Sequence, residues 1–165
     1  MALQTSVRVD QTTGIVGEVI YSGPMRAIPG ILNTGTASNN VIGRAFTHVA
    51  ANDREVAAGG TGVFAGILIS PKELSTSGTT SGALEPTTTL PNNTTVELLQ
   101  MGYVVVSLST DAAIGDDVHF VQATGALLAV DPGTSPAVGN SAVPNAKVAY
   151  YNTTGAGLAV IKLTN

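Results

Sequence analysis

The chain has 165 residues, no cysteine and a net charge of −4, with seven Lys and Arg against eleven Asp and Glu. The lack of cysteine removes disulfides, thiolate zinc sites and cysteine nucleophiles, and the acidic balance argues against a phosphate backbone as partner. Only 11% of residues are charged, against ~25% in ordinary soluble domains, so polarity rests on Ser, Thr, Asn and Gly. That composition suits either a neutral β-surface or a surface covered by neighbours in an assembly.

The length predicts one domain over 1–165, large enough to bury roughly 70% of its unfolded surface. No apolar stretch approaches the ~20 residues of a membrane-spanning helix, and the opening "MALQTSVRVDQTTG" has no apolar core of a signal peptide. The expectation is a protein made in a cytoplasm, with neither nucleic acid nor membrane as partner.

In chain order, 1–13 predicts an extended arm. Short β-branched apolar runs bounded by turn residues predict strands at 16–21, 41–49, 63–69, 96–99, 102–108, 118–122, 126–130, 146–151 and 158–163. The stretch "ANDREVAAGG" (51–60) is the one helical candidate, of one or two turns at most. The polar segment 75–95, "STSGTTSGALEPTTTLPNNTT", has no period. It exceeds the ~12–15 residues usual for a loop, which marks either disorder or a contact role. A shorter loop of the same kind covers 131–145. The fold class expected is all-β: a compact antiparallel β-barrel or a jelly-roll-like sandwich, with an extended N-terminal arm and a long polar loop.

Candidate chemistry is sparse. "GTGVFA" (60–65) fits a degenerate dinucleotide-binding pattern, but a strand follows it where a helix is required, so its glycines read as a tight loop entering a strand. Asn92, Asn93 and Asn152 match glycosylation sequons, which chance supplies freely in a threonine-rich chain. No G-x-S-x-G elbow or calcium-loop pattern occurs.

The stretch "DAAIGDDVHFVQATGALLAV" (111–130) gathers three carboxylates and a histidine within nine residues. In a strand starting at Asp117, side chains alternate faces, so Asp117 and His119 share one face and Val118 and Phe120 the other. One Asp–His pair is neither a coordination set nor a catalytic one, and His48 lies on another strand. The structural reading explains more. Gly115 sets a turn requiring positive φ, Asp follows it, and Gly125 takes the left-handed position of a hairpin. Val118, Phe120, Leu127 and Ala129 then offer one face to the core. No catalytic, cofactor-binding or metal-ligating residue is assigned, and the chain is expected not to be an enzyme.

Several blocks in order carry a family resemblance: "VGEVIYSGPMRAIPGILNTG", "NVIGRAFTHVA", "VAAGGTGVFAGILISPKEL", "LPNNTTVELLQMGYVVVSL", "AAIGDDVHFVQATGAL" and "VPNAKVAYYNTTGAGLAVIKLTN". Together they resemble the structural cement proteins of tailed bacteriophages, over nearly the whole chain. The resemblance implies a head-stabilising protein on the outer surface of an HK97-type capsid. Its partners would be the major capsid protein and itself, as homodimer or homotrimer, with no cofactor. The alternative is a non-catalytic carbohydrate- or host-surface-binding β module on the virion.

Overall fold

The computed structural model describes residues 14–20, 23–50, 52–69 and 89–164. The arm at 1–13 and positions 75–88 of the polar loop lie outside these residues, as does Tyr21 of the first expected strand. The strands are β1 (Val19–Ile20), β2 (Arg26–Leu32), β3 (Ala45–Val49), β4 (Asn52–Ala58), β5 (Phe64–Leu68), β6 (Thr95–Leu108), β7 (Asp117–Val121), β8 (Leu127–Val130), β9 (Asn140–Tyr150) and β10 (Gly157–Thr164). Among the described residues there is no α-helix, only a 3-10 turn at Ala37–Asn39.

The pairing order β10-β9-β7-β8-β6-β2-β4-β3-β5, with further pairings of β6 to β10 and to β5, makes two closed circuits of five strands that share β6. Of the two expected forms, the closed barrel is the one found. Pairing is antiparallel except for short parallel contacts between β2 and β4 and between β6 and β8. Closure removes the unpaired edges through which β-proteins aggregate. β1 fills the remaining stretch of the β6 edge, with Val19 opposite Val104.

Each circuit has its own core. Val104, Val106 and Leu108 of β6 join Val118, Phe120, Leu127, Ala129, Val148, Ile161 and Leu163 in the first. Val96 and Leu98 of β6 join Leu32, Phe46, Val56 and Leu68 in the second. The same strand serves both because its register slips once. Arg26 faces Met101 and Ala27 faces Leu99, which leaves Gln100 as an extra residue. Such a bulge reverses which alternate side chains point inward. The Gln100 amide donates to the Ala65 carbonyl at 3.1 Å, which fills the bulge. Ala45, Ile67 and Leu99, from the second circuit's strands, pack into the first core. Apolar packing therefore continues across the seam.

The β7–β8 hairpin tip also crosses the seam. The Gly125 carbonyl accepts from Ala45 N–H at 2.9 Å, and the Gln122 carbonyl from Gly60 N–H at 2.6 Å. Arg44 donates to the Thr124 carbonyl at 3.1 Å.

Four expectations change. Residues 51–60 are not helical: Asn52–Ala58 is a strand between β3 and β2, with Val56 and Ala58 buried. Strands expected at 96–99 and 102–108 are one strand, bent at Gln100 rather than broken. No strand was expected at β2, which contains Pro29 and Gly30. Its pairing with β4 begins only at Ile31, so Pro29 sits where the missing N–H breaks no ladder on that side. β9 starts at Asn140, ahead of the expected 146, because Pro144 and Asn145 form an irregularity inside the strand rather than a loop. Asn145 has φ 49°, and the pairing with β7 shifts there.

Candidate functional site

The acid-rich stretch folds as a turn, a strand and a hairpin. Gly115 has φ 101° and Gly125 φ 73°, the left-handed region both turns require. Asp116 accepts from the Ala113 N–H at 2.8 Å, and Asp111 accepts from the Gly155 N–H. These two carboxylates hold loops. The turn is clamped onto β9, with Gly115 N–H donating to the Val148 carbonyl at 2.8 Å and Val148 N–H to the Asp116 carbonyl at 2.9 Å.

β7 starts at Asp117, as the sequence predicts, and Val118 and Phe120 enter the first core. Asp117 and His119 lie on the opposite face, in the wall of a groove of ≈ 480 Å³ that also involves Lys147, Pro136, Pro144 and Thr164. Lys147 on β9 sits directly opposite Asp117 and reaches its carboxylate at 2.6 Å. The second Asp117 oxygen accepts from the Gly133 N–H at 2.8 Å. The Lys147 hydrogen bond, followed by that of Gly133, holds the Asp117 carboxyl below its ordinary range. His119 is only 3% exposed. Burial pushes its imidazole pKa down, partly opposed by the Asp117 charge.

This pair therefore interacts, but Asp117 is held by Lys147, and one carboxylate with one imidazole makes neither a catalytic set nor a coordination set. Among the described residues no three His, Cys, Asp or Glu side chains converge on a metal-sized point. His48 sits on β3 in the second circuit, opposite Val56. "GTGVFA" leaves β4 and enters β5, and a Cβ on Gly60 would lie 2.7 Å from the Thr47 hydroxyl, so its glycines serve close packing. Asn92 accepts from Thr34 N–H at 3.1 Å and donates to the Thr34 carbonyl at 2.9 Å, and Asn152 accepts from Ile114 N–H at 2.9 Å. Of the three sequon residues, Asn92 and Asn152 have side chains engaged in the fold, and Asn93 sits at a positive-φ position, φ 66°.

His119 has a measurable consequence. Its folded-state pKa lies below the ordinary imidazole value of ~6.5, so below that pH the unfolded chain takes up a proton that the folded chain resists. Stability is therefore expected to fall as pH drops through and below about 6.5. In urea titrations between pH 8 and 5, His119→Gln should flatten that part of the slope. An unchanged slope would exclude His119 as its source.

The feature that sequence reading did not assemble lies on the outer face of β6, β10 and β9. In register, Tyr103 faces Lys162, and Lys162 faces Lys147. The Tyr103 and Tyr150 rings meet at 6.2 Å, tilted by 41°, and the Lys162 ammonium lies 5.8 Å from the Tyr103 ring centroid. Tyr150 and Tyr151 are 43% and 45% exposed. The sequence places Tyr150 and Tyr151 side by side on a strand, but only the register brings Tyr103 and Lys162 to them.

Two closed strand circuits that share β6 define an all-β barrel protein. Comparison identifies its kind. Residues 3–164 match the family described as structural cement protein (E217 gp24/Pam3 gp6), and the chain belongs to that family. Among solved structures, a chain from the capsid of Myoviridae phage XM1 shares the fold, with TM-score 0.66 at 17% identity, covering 100% of this chain and 99% of that one. No curated protein matches the sequence. The protein is thus a phage structural protein of the cement class, located in the virion.

Proposed function

We propose that this protein binds the outer surface of an HK97-type phage capsid and cements adjacent capsid subunits. On this reading residues 1–165 act as a single domain, made in the host cytoplasm, with the major capsid protein and other copies of itself, as dimer or trimer, as partners. The observation that carries the reading is the family match over residues 3–164. The fold suits the task, because a barrel with paired edges is stiff, and many copies on a symmetric lattice turn weak contacts into a strong shell through multivalency. Low surface charge limits repulsion between neighbouring copies. The carbohydrate-binding alternative needs a flat aromatic platform, and the tilted Tyr103–Tyr150 pair under Lys162 is a poor one.

Mixing the purified protein with undecorated shells and imaging them tests the reading. Extra density on the outside at subunit junctions is expected, and bare shells would overturn it. The arm 1–13 and the loop 75–95 are proposed to carry much of the contact, since a polar segment longer than an ordinary connection is usually functional. The loop deletion must be confined to 75–88. Beyond it Thr89 bridges Val41, Leu90 is buried, and Asn92 bonds Thr34 and Asn40. Removing both segments is expected to cut co-sedimentation with shells at least about tenfold, and full binding by the double deletion would exclude them.

A further inference from the structure

We infer that the Tyr103–Tyr150–Lys162 face is a second docking surface, fitted to a carboxylate-bearing segment of a capsid protein subunit; this rests on the capsid-binding reading above. Three observations converge on it. The first is composition. The chain has four tyrosines and no tryptophan, yet Tyr103 and Tyr150 meet over β10, and Tyr151 follows in sequence. Tyrosine is enriched at the energetic centres of protein interfaces, where one rigid amphipathic ring gives large contact area.

The second is strain. Tyr151 has φ 66°, a conformation rare for a bulky side chain. It directly follows the last residue of β9 and is 45% exposed, and the next residue, Asn152, accepts from the N–H of Ile114, which is 61% exposed. Strained residues persist where the surrounding structure over-determines them, and they cluster at contact sites.

The third is charge. Lys162 and Lys147 stand directly opposite on neighbouring strands, a pairing that costs stability in an isolated sheet. Lys147 is neutralised by Asp117. Among the described residues no carboxylate pairs with Lys162, whose ammonium lies over the Tyr103 ring. The row Tyr103–Lys162–Lys147–Asp117 thus carries one more positive than negative charge, in a chain of net charge −4. A cation held over an aromatic ring and open to solvent is complementary to an approaching carboxylate. Because the ring already orients it, little side-chain freedom remains to be lost on binding.

The test measures binding of the full chain to undecorated shells for wild type, Tyr150→Ala, Lys162→Glu and Lys162→Arg. Thermal melting of each variant confirms folding, and Lys162→Glu carries the test if Tyr150→Ala does not fold. The inference expects Tyr150→Ala and Lys162→Glu each to weaken binding at least about tenfold. Lys162→Arg should retain it, because charge and ring contact both survive. Wild-type binding should weaken with added salt and Lys162→Glu binding less so. Wild-type binding with undiminished binding by both variants overturns this surface while leaving the cement function standing. Failure of the wild type to bind removes both. Shell binding retained while Tyr150→Ala converts an oligomer to a monomer also overturns the inference, because the face would then join copies of this chain.

Discussion

Gly125→Val is expected to lower stability by roughly 3–5 kcal/mol, the sum of backbone strain at a left-handed position and steric overlap in a packed site. Gly125 has φ 73°. A Cβ there would stand 2.4 Å from the Ala45 carbonyl oxygen and 2.9 Å from the Gly59 nitrogen. Both atoms are backbone, so no side-chain rotation relieves the contact. The reciprocal position is as tight, since a Cβ on Gly59 would approach the Gln122 carbonyl oxygen at 2.3 Å. The two glycines interlock the hairpin tip with the second circuit. Gly115→Ala is the control: φ is 101°, but no atom lies within 4 Å of the added Cβ, so strain alone remains, about 1–2 kcal/mol. Urea denaturation of the three proteins checks the order. Equal midpoints for wild type and Gly125→Val would show that the tip does not dock.

Phe120→Ala should cost about 3–5 kcal/mol, the range for removing a buried aromatic ring. Phe120 is 2% exposed at the heart of the first core. Its ring lies 6.4 Å from that of Phe64, which stands on β5 of the second circuit. The truncation therefore opens a cavity at the seam. β7 is tied to β8 on one side and β9 on the other, so the backbone cannot collapse into the space, and the full cavity term applies. Phe120→Leu refills most of the volume and should recover much of the loss. A loss under about 1 kcal/mol for Phe120→Ala would mean that the seam closes by repacking.

Much of this architecture was legible because period-two burial and turn glycines are local signals. Val118, Phe120, Leu127 and Ala129 were expected to share a face, and all four are in one core. Gly115 and Gly125 were expected at positive φ and are there. What escaped was non-local. No strand was expected over 26–32, which holds Pro29, and 131–145, which holds Pro144, was expected to be a loop; the partial pairing of β2 and the shifted register of β9 explain how strands accommodate the two prolines. The stretch "ANDREVAAGG" has helix-forming residues, and its strand conformation is imposed by β3 and β2 on either side.

The candidate site divides the same way. The Asp117–His119 juxtaposition followed from alternation within one strand, whereas the Lys147 that engages Asp117 comes from β9, and no spacing rule links 117 to 147. Tyr103, Tyr150 and Lys162 lie far apart in sequence, and three strands had to be placed in register before they formed a surface.

β6 gives the molecule a mechanical axis. Its Val104–Leu108 half is laddered to β10 and its Thr95–Leu99 half to β2, with β5 and β1 on the remaining edges. A pull along this strand meets its hydrogen bonds side by side, and many must yield together. Peeling would break them one after another, but the closed circuits leave β6 no loose edge from which a peel could start. If the proposed function holds, a shell swelling from within would tug on the bound protein in whatever direction its seams open. A spine gripped on both sides along its length transmits such tension from one barrel to the other without first coming undone.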